Sequence, residues 1–211
     1  MTGLPISEAL LAELRAEFPA FRIVDKAHSP LSVAIDWALR LVTLGAQRHF
    51  MTHYHTVIGD TLYVCPAWHG MSDVARTVLL RHERVHLRQR RRYGFLPFAA
   101  LYLIPLFPLG LAYFRARFEW EAYVETLRAT AELRGLSALA DPSLRRELVR
   151  RFVGPDYGWM WPFPRTIERW FERAVSEIAA DLRAVHTSSF DAGSAGSSAH
   201  STTERARTRQ R

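Results

Sequence analysis

The fold of this chain is decided by residues 72–89, SDVARTVLLRHERVHLRQ, which have the pattern of a long amphipathic helix. Ser72 and Asp73 are residue types that cap the start of a helix. Apolar residues then recur at helical spacing, at positions 74, 75, 78, 79 and 85. The same stripe continues through His82 and His86 to Gln89, so the sequence predicts a helix with two histidines in register with its buried face.

These histidines belong to the motif His82-Glu83-Arg84-Val85-His86. Residues four apart lie one turn apart on the same helix face, so both imidazoles can reach one tetrahedral Zn²⁺ at about 2.0–2.1 Å. Glu83 then lies beside the metal, where a carboxylate can take a proton from a zinc-bound water and deliver it to a leaving amine. The alternative is an exposed helix in which Glu83 pairs with neighbouring arginines.

A catalytic zinc needs a third protein ligand and an open position. The next histidine after the motif is His186, beyond the last predicted helix, which disfavours a site of three histidines. Glu119 and Glu121 are the better candidates, on a helix predicted over 118–134. They stand about 200° apart around that helix, so only one of them can face a metal.

The pattern Glu119-x-x-Ala122-Tyr123, together with the histidine motif, resembles the gluzincin metallopeptidases and their compact minigluzincin members. The resemblance covers about residues 50–125. It implies a zincin-like domain in which His82, His86 and Glu119 bind one Zn²⁺ and Glu83 is the general base. Tyr123 departs from the family pattern, since many relatives have Asp there, and the carboxylate that would orient a ligand histidine is missing or replaced by a phenol.

The resemblance also implies an endopeptidase acting on peptide or protein substrates. In such peptidases the strand ahead of the motif helix pairs with an extended substrate, which here would be residues 52–58 or the partner strand. Tyr157, in an aromatic loop with two tryptophans, is a further catalytic candidate as a donor to the developing oxyanion. The alternative for that loop is a set of aromatic anchors that pack it onto the core.

The rest of the chain predicts an α+β fold that is mainly α, with a short β-hairpin packed on the motif helix. The hairpin is expected within residues 49–65 around a turn at Gly59 and Asp60, with His53 and His55 on one face of its first strand. Further helices are predicted near the N-terminus and over 31–45, 144–152 and 165–185. Residues 1–186 are expected to form one domain, and residues 187–211, rich in Ser, Gly and Arg, a disordered tail.

Residues 95–114 contain no charged residue, although prolines interrupt them and arginines flank both ends. A straight membrane span would place His86 and Glu119 on opposite sides of a core about 30 Å thick, where they could not share a metal ion. A hairpin resolves this conflict, with residues 95–104 leading out, a turn at 105–108 and a return helix from Leu109. We expect the hairpin to be buried core, and contact with a membrane interface is the alternative.

The charge and cysteine content limit the classes of function. The 211 residues carry a formal charge of +7, with Lys26 as the only lysine and Cys65 as the only cysteine. One cysteine excludes an intrachain disulfide and favours a reducing, cytoplasmic setting, with membrane association as the alternative. Arginines of the motif helix and the tail could bind phosphates, but no nucleic-acid-binding motif is present, so nucleic acid is not an expected partner. The alternative to an enzyme is a non-catalytic zinc-fold adaptor that binds membrane or nucleic acid through its arginines.

Overall fold

The computed structural model describes residues 4–42, 50–103, 112–154 and 160–207. These residues form a mainly helical structure with one small sheet. The α-helices are α1 (Ile6–Glu17), α2 (Pro30–Val42), α3 (Phe50–His53), α4 (Ala67–Gly70), α5 (Asp73–Tyr93), α6 (Phe95–Leu103), α7 (Tyr113–Arg134), α8 (Pro142–Val153) and α9 (Pro164–Arg207). The strands are β1 (Arg22–Asp25), β2 (Thr56–Ile58) and β3 (Thr61–Val64). Two short 3₁₀ helices cover Lys26–His28 and Leu136–Ala140.

The predicted hairpin is confirmed as β2 and β3, which pair antiparallel with Val57 opposite Leu62. Gly59 in its turn has a φ of +62°, a conformation that a residue with a Cβ rarely adopts. β1, which was not predicted, pairs parallel to the other side of β3. β3 is therefore the central strand, and β2 keeps one free edge among the described residues.

The helix predicted from residue 72 is α5, and its start has the expected cap. The Ser72 hydroxyl accepts a hydrogen bond from the Ala75 amide at 3.2 Å. The Asp73 carboxylate accepts the amides of Ile6 and Ser7, each at 2.9 Å, and so also caps α1. The helix ends at Gly94, whose φ of +81° lets the chain turn directly into α6.

α5 lies between two hydrophobic cores. On one side its Leu80 and Leu87 pack with Leu14 of α1 and Leu62 of the hairpin. On the other side of the molecule a second core joins α7 to α8 and α9. α5 and α7 are antiparallel neighbours. Arg81, near the middle of α5, pairs with Glu132 near the end of α7, whereas Gln89, further along α5, contacts Phe118 near the start of α7. The hairpin is tied to α5 by the ion pair between Asp60 and Arg90.

The prediction that the first hairpin strand includes His53 and His55 is wrong, because the strand begins at Thr56. His53 lies in α3 and His55 lies just before β2, so the two histidines do not alternate along a strand. Within the described residues only Thr56–Ile58 pair with β3, so the first strand is too short to include either histidine. His55 is half-buried, with its Nε2 3.6 Å from the Cys65 sulfur.

The expectation that residues 95–114 are buried core is wrong for the described part of that run. α6 is helical, as the outgoing arm of the proposed hairpin requires, and α7 returns the chain towards α5. However, Phe95 is 49% exposed and Leu96 is 75% exposed. Among the described residues, α6 is covered where Phe98 and Tyr102 contact Phe118 and Glu119 of α7. The predicted turn at 105–108 lies outside the described residues.

The last helix extends past its predicted end near residue 185 and includes residues 187–207 of the segment that we expected to be disordered. Among the described helices, none combines the length and the apolar character that crossing a membrane requires.

Candidate metal centre

The structure brings His82, His86 and Glu119 together between α5 and α7. The two Nε2 atoms lie 3.2 Å apart. The Glu119 carboxylate oxygens lie 3.8 Å from Nε2 of His82 and 3.7 Å from Nε2 of His86. The three side chains are 13%, 10% and 4% exposed, so the cluster is largely buried. It is a group of residues whose ligand atoms could hold one metal ion.

A threonine fixes the tautomer of His82. The Thr126 hydroxyl lies 3.0 Å from His82 Nδ1, and it donates its own hydrogen to the Ala122 carbonyl at 3.1 Å. Because the hydroxyl has a single hydrogen, its oxygen must accept from Nδ1–H. The lone pair of His82 is therefore on Nε2, the atom that faces His86 and Glu119.

A glutamine fixes the tautomer of His86 in the same way. The Gln89 amide nitrogen donates to the Phe118 carbonyl at 3.1 Å and to a Glu121 carboxylate oxygen at 2.8 Å. Both partners are acceptors, which fixes the orientation of the amide, so its oxygen accepts from His86 Nδ1–H at 3.0 Å. The neutral form of His86 therefore also carries its lone pair on Nε2.

This donor set fits a tetrahedral cation. When both rings are neutral, as metal binding requires, two Nε2 lone pairs and a carboxylate converge on one point, and a cation bound there would be attracted by all three. Ligand atoms about 2.0–2.1 Å from a tetrahedral ion are about 3.3 Å apart, close to the 3.2 Å between the nitrogens. Burial lowers the pKa of His82 well below its usual value, which keeps the ring in the neutral form that a metal requires.

Glu119 is held by the first arm of the apolar run. The Tyr102 hydroxyl of α6 donates to Glu119 Oε1. Burial and the neighbouring Glu119 charge raise the pKa of Tyr102 well above its usual value, so the phenol keeps the proton that it donates. A hydrogen-bonded outer partner of this kind orients a ligand carboxylate and leaves its second oxygen free.

The structure separates the two candidate glutamates. Glu119 is 3% exposed and joins the histidines, whereas Glu121 is exposed and accepts from Gln89. Glu121 therefore acts on the site only through Gln89 and His86. Tyr123 lies edge-on to the His82 ring with centroids 5.0 Å apart, but its hydroxyl accepts from Arg151 at 3.1 Å. The oxygen that orients His82 thus comes from Thr126, one turn after the position where relatives of the resembled family have Asp.

Glu83 lies in the same buried region and is 5% exposed. Burial raises its pKa to about 7, and the Glu119 charge adds to that rise, while His86 and Lys26 oppose it. A carboxyl group with a pKa near neutrality exchanges protons readily at the pH where it works. A cation bound to the adjacent ligands would lower this pKa again.

Lys26 is the least expected charged residue near the site. It is fully buried, and its Nζ donates to Thr56 Oγ1 at the start of β2 at 3.0 Å. Burial lowers its pKa to about 8, while attraction to Cys65 and Glu83 opposes that effect. Lys26 is the only lysine in the sequence, and no sequence motif assigns it a role.

Three other positioning residues were also missed, although each leaves a signal in the sequence. Gln89 is a polar residue on the apolar stripe of α5, three positions after His86. Thr126 stands seven residues after Glu119, which places it two turns along the same face of α7. Tyr102 is the only polar residue of α6. The catalytic candidate Tyr157 lies outside the described residues.

The arginines of α5 are largely engaged within the protein. Arg84 and Arg88 bind Glu17 of α1, and Arg81 binds Glu125 and Glu132 of α7. Arg90 pairs with Asp60 in the hairpin turn. These ion pairs account for most of the cluster that suggested phosphate binding.

No protein-family model, curated protein or solved structure matches this chain.

Proposed function

We propose that this protein is a zinc-dependent peptidase of the gluzincin type, with His82 Nε2, His86 Nε2 and the Glu119 carboxylate as the metal ligands. The observation that carries the proposal is the convergence of the two Nε2 atoms, 3.2 Å apart, with the Glu119 carboxylate, while each ring is held by a hydrogen bond at Nδ1. A zinc ion held there would supply a Lewis acid that polarises a carbonyl oxygen and lowers the pKa of a water molecule.

The residues around these ligands have separate roles. Glu83 accepts a proton from the attacking water and returns it to the leaving amine nitrogen, since its carboxylate lies in the buried region beside the ligands. Tyr102, Thr126 and Gln89 hold the ligand atoms in position. Because β2 has a free edge and packs near α5, an extended peptide is proposed to bind there by strand addition. The central strand β3 has both edges paired and is unsuited to that role.

The first experiment separates metal binding from hydrolysis with one variant. Glu83→Gln should bind zinc as the wild type does, measured by metal analysis after dialysis, and should lose cleavage of an unstructured protein such as casein. The loss should be at least about 10²-fold, the contribution of a positioned general base. Full activity in Glu83→Gln would overturn the mechanism.

The second experiment tests the ligand set by comparing variants of Glu119 and Glu121, two glutamates that are two residues apart. Glu119→Gln should lose zinc, whereas Glu121→Gln should retain it with affinity reduced by about tenfold or less, because Glu121 acts only through Gln89. Equal losses in both variants would contradict the proposed ligand set. Bound zinc in the wild type without turnover of any substrate would instead favour the non-catalytic adaptor.

A further inference from the structure

The ends of three helices meet at one end of the antiparallel pair α5 and α7. The Tyr93 ring at the end of α5 lies 5.4 Å from the Phe118 ring, and Phe98 of α6 lies 5.0 Å from the same ring. At the other end of α6, the Arg115 guanidinium donates to the Tyr102 carbonyl at 2.7 Å. The last turn of α5, the whole of α6 and the first turn of α7 therefore form one continuous surface.

Large apolar and aromatic side chains are concentrated on this surface. We call it the apolar end surface, and its exposed members are Tyr93, Phe95, Leu96, Tyr113 and Phe114. Leu96 is 75% exposed, an unfavourable position for a leucine in water unless a partner covers it. Phe95 also lines a groove of about 530 Å³ with Leu31 and Ile58, which extends the apolar character towards α2 and the hairpin.

Two arginines beside the apolar end surface differ from the paired arginines of α5. Arg92 and Arg117 are both exposed, and within the described part of the chain neither guanidinium has a carboxylate partner. Arg92 instead lies over the Tyr93 ring, with 5.5 Å between guanidinium and centroid, and Arg117 lies over Trp170 at 5.7 Å. The surface thus combines exposed apolar side chains, amphipathic tyrosines and unneutralised cations.

We propose that the apolar end surface binds the interface of an anionic lipid bilayer. Leu96 and Phe95 would enter the boundary between headgroups and acyl chains, and Tyr93 and Tyr113 would lie at the level of the headgroups, where amphipathic rings are favoured. Arg92 and Arg117 would meet lipid phosphates. The charge complementarity favours anionic lipid over an apolar protein partner, because a neutral partner would leave both guanidinium groups unpaired at its rim.

This placement has a consequence for the metal centre. Tyr102 belongs to α6, the helix that would lie on the bilayer, and its hydroxyl holds Glu119. If the proposed peptidase function is correct, the substrates are segments of proteins at the membrane surface. Lipid binding itself does not depend on that function.

The test uses the full chain and vesicles of phosphatidylcholine, with or without about one-third phosphatidylglycerol, measured by co-sedimentation. The wild type should bind the anionic vesicles, and added salt should weaken the binding. Phe95→Ser with Leu96→Ser should reduce partitioning by at least about tenfold, because burying one such side chain contributes that much. Arg92→Gln with Arg117→Gln should reduce it by a similar factor for anionic vesicles only.

Matched controls are Leu4→Ser, at an exposed leucine on the N-terminal segment, and Arg173→Gln, at an exposed arginine of α9. Both should bind as the wild type does. Glu83→Gln should also bind vesicles as the wild type does. A failure of the peptidase proposal can therefore be distinguished from a failure of the lipid-binding proposal. Absence of binding, or equal binding to neutral and anionic vesicles, would overturn the proposal. So would a wild-type dimer in analytical ultracentrifugation that Phe95→Ser and Leu96→Ser dissociate, since a second copy would then cover the surface.

Discussion

The buried lysine allows a prediction that does not depend on any metal. Lys26 is fully buried, and burial lowers its pKa from 10.5 to about 8. One pKa unit corresponds to 1.36 kcal/mol, so the lowering of the Lys26 pKa corresponds to about 3 kcal/mol. Below pH 8 the lysine is charged in the folded and the unfolded chain, and its charge makes the folded state less stable by about that amount.

The sign of the pH dependence follows from proton binding. Between pH 8 and 10.5 the folded protein has released the Lys26 proton while the unfolded chain still holds it. The contribution of this residue to the free energy of unfolding therefore rises with pH across that interval. In Lys26→Met the contribution is absent. The free energy of unfolding of Lys26→Met minus that of the wild type should fall by about 3 kcal/mol between pH 7 and pH 10.5.

The measurement is urea unfolding followed by tryptophan fluorescence at several pH values in this interval. Titrating groups far from Lys26 contribute equally in both proteins and cancel in the difference. Lys26→Arg is the matched control, since its guanidinium stays charged throughout, so its difference from Lys26→Met should not change with pH. A difference between wild type and Lys26→Met that is the same at pH 7 and pH 10.5 would refute the reasoning.

Three further predictions concern hydrogen bonds around α5. Thr126→Val should weaken zinc binding by about 10- to 100-fold in a chelator competition assay, whereas Thr130→Val, one turn away, should not. Glu17→Gln should lower the free energy of unfolding by about 1 kcal/mol at pH 7. Because Arg88 and Arg84 lower the pKa of Glu17 to about 2, that loss should shrink as the pH falls from about 4.5 towards 2; a loss that persists at pH 2 would contradict this origin. Ser72→Ala should cost about 1 kcal/mol in urea unfolding, and Ser72→Asp should restore it.

Much of the secondary structure and part of the site could be predicted from local patterns. The cap at Ser72, the apolar stripe of α5 and the glycine turn of the hairpin depend on neighbours within a few residues. The spacing of His82 and His86 is likewise a property of one helix, so the sequence predicts that both face the same way. The preference for Glu119 over Glu121 rested on a resemblance, and the geometry agrees with it.

The outer partners of the histidines could not be predicted in this way. Thr126 and Gln89 act across the antiparallel contact of α5 and α7, and only the register of that contact shows which side chains meet. The exposure of α6 is a similar case. Its nine uncharged residues are compatible with a buried or an uncovered helix, and the outcome depends on whether another element covers them.

The sequence by itself determined where helix α5 begins, which two histidines share a face and which carboxylates were available to join them. Those properties follow from backbone geometry and from side-chain chemistry over one or two turns. Only the tertiary structure decided that Glu119 is the carboxylate at the histidines, that Lys26 is buried near Glu83 and that Phe95 and Leu96 of α6 are exposed to solvent. Each of these depends on contacts between residues far apart in the chain, whose relative positions are fixed only when the helices pack.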